Sequence, residues 1–247
     1  MAKLSGKAAL VTGASRGIGA AIARRLASDG AAVAITYSAS PQKADELVTA
    51  MRAAGGGRAI AIHADASDAA AVRRAVDEAV KQLGGLDIVV NNTGVMTMAQ
   101  IGDYSDEQFE RMLAINVRSA FYTVREASRH LRDGGRVIFI GSINSDCMPF
   151  AGGSVYALTK GAIAGFTRGL ARDLGPRGIT VNNIQPGPID TEGSPAEGPF
   201  AATLKGLMAL KRYGHADEVA AMVSYLAGPE GAFITGAGLK IDGGFDA

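Results

Sequence analysis

The sequence predicts an α/β fold: a single domain over residues 1–247, built as one doubly wound parallel sheet with helices on both faces. Three observations carry this. Short apolar runs recur along the whole chain, stretches with helical spacing separate them, and no Pro/Ser-rich linker, charge block or internal repeat divides the chain. Strands covered on both faces read as continuous apolar runs. Right-handed crossovers between parallel strands then leave few other architectures.

Taken in order, the runs at 8–11, 32–36, 59–63, 88–91, 137–140 and 179–184 read as strands. Leu47, Met51 and Ala54 mark a helix opened by Ser40 as N-cap and Pro41 at the first helical position. Val72, Val76, Val80 and Leu83 mark another. Ser105 and Gln108 form a capping box before a long helix with an apolar stripe of Phe109, Met112, Leu113, Ala120 and Val124. Asn116 falls inside that stripe, where an amide is costly unless its hydrogen bonds are met. Residues 186–199 are irregular, and Phe200, Leu204, Leu207 and Met208 after them are spaced like one apolar face of a short helix. The stretch 188–212 reads either as a surface connection or as a lid. Its place just after a strand favours the lid, because open α/β sheets bind ligands beyond the carboxyl ends of their strands.

Composition narrows the function. With 25 Lys and Arg against 24 Asp and Glu, spread along the chain, there is no basic footprint for nucleic acid or an anionic membrane. Cys147 is the single cysteine, so no intramolecular disulfide can form and a reducing compartment is expected. Residues 1–7 lack a signal-peptide pattern, and no apolar run approaches the about 20 residues that span a bilayer. The expectation is a soluble, cytoplasmic protein.

The segments that carry chemistry follow the strands. The first runs into Thr12-Gly13-Ala14-Ser15-Arg16-Gly17-Ile18-Gly19, where glycines let the backbone turn sharply and approach a pyrophosphate at a helix N-terminus. Asn91-Asn92-Thr93-Gly94 ends the fourth strand, and Ser142 follows the fifth. Tyr156 and Lys160 lie four apart, on one face of a predicted helix. A phenol ordinarily titrates near pH 10, too high for efficient proton exchange at neutrality, and an ammonium group one turn away favours the phenolate. A serine hydroxyl can hydrogen-bond a carbonyl oxygen as charge develops on it. Pro186-Gly187-Pro188-Ile189-Asp190-Thr191 follows the sixth strand.

Together these segments resemble the short-chain dehydrogenase/reductase family, with its Rossmann-type sheet. The matches are T-G-x-x-x-G-x-G at 12–19, N-N-x-G at 91–94, Asn116, Ser142, Tyr156-x-x-x-Lys160, P-G-x-x-x-T at 186–191 and the terminal Ile241-Asp242-Gly243-Gly244. The resemblance implies a catalytic set of Asn116, Ser142, Tyr156 and Lys160, with Tyr156 as acid and base and Asn116 holding a water that links Lys160 to solvent. It implies cofactor contacts from Gly13, Ser15, Arg16, Gly17, Ile18 and Gly19, then Ser38, Asp65, Asn92 and Gly94, then Tyr156 and Lys160, and finally Pro186, Gly187, Ile189 and Thr191. Asp65 has a second reading as a helix-start carboxylate ahead of Ser67 and Asp68, and Asn116 one as a satisfied structural amide. Two features depart from the family pattern: Thr93 stands where alanine is usual, and the Ser142–Tyr156 interval is about a residue longer than common.

The implied cofactor is NADP(H). No acid follows the second strand before Asp45, while Ser38 and Arg16 can bond a 2′-phosphate. The implied reaction interconverts a small-molecule carbonyl and a secondary alcohol. No metal is expected, since His63, His130 and His215 lack ligand spacing. A homotetramer is expected, paired through long helices carrying Ile115, Tyr122 and Phe166. Met96, Met98, Met148 and Met208 fall near the expected pocket, either as core filler or as adaptable contacts for apolar ligands. The chain also resembles 3-oxoacyl-carrier-protein reductases. Through residues 169–180 and 185–191 it is more similar to a bacterial subgroup of cyclic-di-GMP-binding biofilm-dispersal proteins, which implies an alternative: a dinucleotide-binding regulator on a reductase fold.

Overall fold

In the computed structural model, which describes residues 2–54 and 57–247, strands and helices alternate along the chain. The order is β1 (Ala8–Val11), α1 (Gly17–Ser28), β2 (Ala32–Tyr37), α2 (Pro41–Ala53), β3 (Ala59–His63), α3 (Ala69–Leu83) and β4 (Leu86–Asn91). There follow α4 (Asp106–Leu113), α5 (Ser119–Ala127), β5 (Leu131–Ile140), α6 (Ser154–Leu174), β6 (Thr180–Pro186), β7 (Ile189–Asp190), α7 (Ala201–Leu207), β8 (Gly214–His215), α8 (Ala216–Ala227) and β9 (Gly238–Ile241). Seven strands form one sheet in the order β3-β2-β1-β4-β5-β6-β9, and every pairing in it is parallel. The order reverses between β1 and β4, which opens a crevice at their carboxyl ends. The predicted doubly wound sheet is the observed one.

Each face of the sheet carries its own apolar layer. Ala9, Val11, Ile88 and Val90 point toward α1, α2 and α8, where Ile22, Leu26, Leu47 and Leu226 meet them. Leu10 and Val89 point the other way, toward Val76, Val124 and Ile163. Side chains alternate faces with period two, so burial on both faces requires an unbroken apolar run.

Local signals held at most element starts. Pro41 is the first residue of α2 and Ser40 its N-cap, although the Ser40 side chain makes no capping bond. The Ser105–Gln108 capping box is present in full. β5 begins at Leu131, six residues before the apolar run, because its polar Arg132-Asp133-Gly134-Gly135 stretch is strand without an apolar pattern. β9, at the sheet edge, was not expected from the sequence; its backbone pairs with Asn183 to Pro186 of β6 while its side chains stay partly exposed.

The helix after Ser105 is not continuous. A π-helical turn, Ala114–Arg118, separates α4 from α5. Such turns mark places where a helix carries an extra residue, frequently at functional sites.

Candidate active site

The glycine-rich loop between β1 and α1 is held open from both sides. Thr36 Oγ1 accepts from Gly13 N at 3.0 Å, and Asn92 Nδ2 donates to the carbonyls of Thr12 and Gly13 at 3.0 and 2.9 Å. Gly13 and Gly17 have φ of +61° and +56°, which favour glycine. A Cβ on Gly19 would stand 2.5 Å from Asn92 Nδ2 and 2.8 Å from Ala14 Cα. The N-terminus of α1 has no side-chain cap and no acid in its first turn. Its N–H groups and dipole therefore form a cradle suited to a pyrophosphate. Thr93, the departure at this wall, brings its hydroxyl to within 2.7 Å of where a Cβ on Gly13 would lie.

The adenosine end is less sharply built. Ser38 is exposed beyond β2. The Asp65 carboxylate accepts from both the amide and the hydroxyl of Ser67, at 2.8 Å each, and these bonds hold its pKa below the usual carboxylate value. Asp65 thus shapes the turn before α3, while Asp68 is the N-cap of that helix. One carboxylate oxygen already serves the fold.

The four expected catalytic residues converge beyond the carboxyl ends of β4 and β5. Lys160 is 5% exposed. Its Nζ donates to the Ile140 carbonyl at 3.1 Å and lies 5.6 Å from the Tyr156 ring centroid. Gly94 makes room for it: a Cβ there would be 3.4 Å from Lys160 Nζ. Ser142 is buried after β5, where its hydroxyl accepts from Asn144 N at 3.1 Å and lies 3.2 Å from Asn144 Oδ1.

Asn116 sits in the π-helical turn with its amide fully engaged. Oδ1 accepts from Val95 N at 2.8 Å, and Nδ2 donates to Val95 O at 2.9 Å and to Thr159 Oγ1 at 3.0 Å. The amide is therefore satisfied, and it ties the segment after β4 to α6. Sequence reasoning missed Thr159; its signal was a hydroxyl three residues after Tyr156 on the same helix face. It missed Asn144 as well.

The longer Ser142–Tyr156 interval is absorbed in a braced loop. Gln185 donates to Ser145 Oγ at 2.6 Å and to Asp146 Oδ2 at 3.0 Å, and Ala99 N donates to Gly152 O at 3.1 Å. Pro186 and Gly187 are fixed by the C-terminal segment. Gly187 N donates to Ile241 O at 2.9 Å, and a Cβ on Gly187 would lie 2.8 Å from Asp242 Cα. That close approach is why the terminal Ile241-Asp242-Gly243-Gly244 belongs with the site. Ile189 buries its side chain in the core, which leaves only its backbone toward the crevice. Thr191 packs beside Gly17, across the crevice mouth.

Residues 188–212 leave the domain between β7 and β8, which pair with each other as a separate two-stranded ribbon. Ala201 and Met208 of the segment cluster with Tyr213 just after it, and Leu204 and Phe245 pack against them. The expected single apolar face is divided: Leu204 and Met208 turn inward, whereas Phe200 is 73% exposed and Leu207 is also exposed. Met96, Met98 and Ile101 are exposed on the segment after β4. The surfaces expected to pair helices also need correction. Ile115 is buried, and Phe166 packs against core Phe139, so Phe121 and Leu158 are the exposed apolar residues there.

A family described as enoyl-(acyl carrier protein) reductase matches residues 13–246. A curated relative from Escherichia coli K12, a cyclic-di-GMP-binding biofilm dispersal mediator protein, is 46% identical over 247 residues, covering 100% of both chains. The chain is a short-chain dehydrogenase/reductase. Among solved structures of this family, a short-chain dehydrogenase/reductase from Serratia marcescens superposes with a TM-score of 0.98 at 56% identity, covering 99% of this chain and 100% of that one. A short-chain dehydrogenase from Burkholderia cenocepacia, solved in complex with NADP, gives 0.97 at 51% identity, with coverage of 99% and 100%. No described helix is long and apolar enough to cross a membrane.

Proposed function

We propose that this short-chain dehydrogenase/reductase uses NADP(H) to interconvert a small-molecule carbonyl and a secondary alcohol, with Tyr156 as acid and base. The observation that carries the reading is the buried Lys160 ammonium, 5.6 Å from the Tyr156 ring centroid and bonded to the Ile140 carbonyl two residues before the buried Ser142, at the carboxyl end of β5. When bound, the nicotinamide supplies or accepts the hydride. The uncapped N-terminus of α1 and the glycine loop would hold the pyrophosphate, and Lys160 the adjoining ribose. Ser142 orients the substrate oxygen and stabilises charge developing on it. Tyr156 gives that oxygen its proton in reduction and takes it in oxidation, with the Lys160 ammonium 5.6 Å from its ring. Asn116, through Thr159 and Val95, keeps the helix bearing Tyr156 and Lys160 in register with the crevice wall.

The substrate proposed is an apolar ketone, β-ketoester or quinone, since Met96 and Met98 after β4 and Phe200 and Leu207 after β7 leave apolar groups exposed on the segments that follow these strands. The test is NADPH consumption across those carbonyl classes by wild type and Tyr156→Phe. Turnover in the variant should fall about 10²- to 10⁴-fold with NADPH binding unchanged; wild-type turnover in it would end the mechanism. The name of the Escherichia coli relative supports a second reading, cyclic-di-GMP binding. Titration of that dinucleotide into Tyr156→Phe separates the two, because binding alone needs no phenol. A homotetramer joined through Phe121 and Leu158 is proposed as well, and a monomer mass by light scattering at micromolar concentration would refute it.

A further inference from the structure

Glu192 stands one residue past Thr191, and its carboxylate reaches across the crevice mouth to the opposite wall. Lys43 on α2 donates to both of its oxygens, at 2.8 and 2.7 Å. Arg16 Nη1, from the glycine loop, lies 4.0 Å from Oε2. The hydrogen bonds and charge of Lys43, then the charge of Arg16, hold the Glu192 carboxyl below the usual carboxylate range. The Thr191 side chain packs here as well: its Cγ2 is 3.6 Å from where a Cβ on Gly17 would be. Two cations from two different elements thus converge on one anion, and that anion belongs to the chain itself.

All three side chains are about half exposed. Exposed ion pairs are weak and screened by salt, so this one opens readily for a stronger anion. The cations flank the end of β2, which carries the exposed Ser38 and no acid before Asp45. Resting on the NADP(H) reading above, we propose that Arg16 and Lys43 together receive the 2′-phosphate of the cofactor, and that Glu192 fills that receptor as an internal competitor until the phosphate displaces it. A phosphate brings more charge and three strong acceptor oxygens, whereas the 2′-hydroxyl of NAD(H) has no charge with which to displace a carboxylate. Glu192 therefore tempers affinity for 2′-phosphorylated nucleotides alone, and Lys43 joins Arg16 in setting cofactor preference.

The experiment is titration calorimetry of the full chain with adenosine 2′,5′-bisphosphate and 5′-AMP, which differ only in the 2′-phosphate. Wild type, Glu192→Gln, Lys43→Met and the double variant are compared. Glu192→Gln should tighten the bisphosphate about threefold and leave 5′-AMP unchanged, with the gain shrinking at high salt. Lys43→Met should weaken the bisphosphate about tenfold, again without effect on 5′-AMP, and should abolish the gain from Glu192→Gln. A bisphosphate/AMP ratio unchanged by either single variant overturns the proposal. So does weaker bisphosphate binding in Glu192→Gln, which would make the carboxylate a latch over bound nucleotide. Failure of wild type to bind either nucleotide overturns the NADP(H) reading itself, and the proposal with it.

Discussion

The two walls of the crevice are built by opposite means. The wall made by β1, β4 and the glycine loop is buried and cross-tied, with Thr36, Asn92 and Asn116 each fixing backbone of a neighbouring segment. The segment at 188–212 is anchored at its ends by the β7–β8 ribbon and carries exposed apolar side chains in between. The first wall commits its polar groups to geometry; the second leaves Phe200, Leu207 and Leu210 exposed. Cradle and proton machinery need fixed positions, while a surface that meets variable apolar groups can stay adaptable. The fold is thus cross-tied at the glycine-rich loop and leaves apolar side chains exposed on the wall proposed for substrate.

The sharpest way to break this contrast is Gly19→Ala. Its Cβ has backbone within 3 Å on one side and Asn92 on the other, and neither can yield cheaply. NADPH binding should weaken about 10- to 100-fold, as overpacking of 1–3 kcal/mol implies. A fluorescence titration with wild-type affinity would show that the loop is softer than its hydrogen bonds suggest. Phe200→Ala probes the other wall. Its side chain is 73% exposed, so Tm should move by less than about 2 °C. KM for an apolar carbonyl should rise about threefold or more, with the NADPH Kd unchanged, as expected for loss of one partly buried apolar contact. Equal losses for NADPH and substrate would mean that the segment serves the cofactor instead.

The smallest effect is expected at the start of α8. Glu218 accepts from Arg212 and from the amide of His215, in that order of influence, and its pKa falls from 4.5 to about 2. A carboxyl whose folded pKa is lowered contributes stability that is complete above its unfolded value and vanishes as pH falls through the folded one. The pair is largely solvated, so Glu218→Gln should lower Tm near neutrality by no more than about 3 °C. The gap between variant and wild type should close between pH 4.5 and about 2 in thermal melts. A gap that persists at the acid end would place the effect in the capping geometry rather than the charge.

Much of the rigid wall was readable because its residues obey local rules. An unbroken apolar run followed by glycines, a capping box, and two residues one turn apart are all patterns within about 20 positions. β5 before Val137 and the edge strand β9 escaped because backbone pairing, not side-chain burial, makes them strands. Ile115 was misassigned to the surface because it lies inside the π turn, where the α-helical phase shifts, and Phe166 because it packs on Phe139 of β5, a contact that helical spacing does not encode. Glu192 had no signal at all. It lies 149 residues from Lys43, and only folding brings the two together.

By itself, then, the sequence determined the layered sheet, the glycine-rich loop and the order of the motifs. Those follow from burial periodicity and from residue chemistry at fixed short spacings. The tertiary structure alone decided that Asn116 spends its amide on Val95 and Thr159, that Gly187 must yield to the C-terminal segment, and that a carboxylate from beyond β6 lies between Arg16 and Lys43. Each of these is a contact between segments distant along the chain. No local propensity encodes it, because its energy exists only once the sheet has set the separation and angle between its partners.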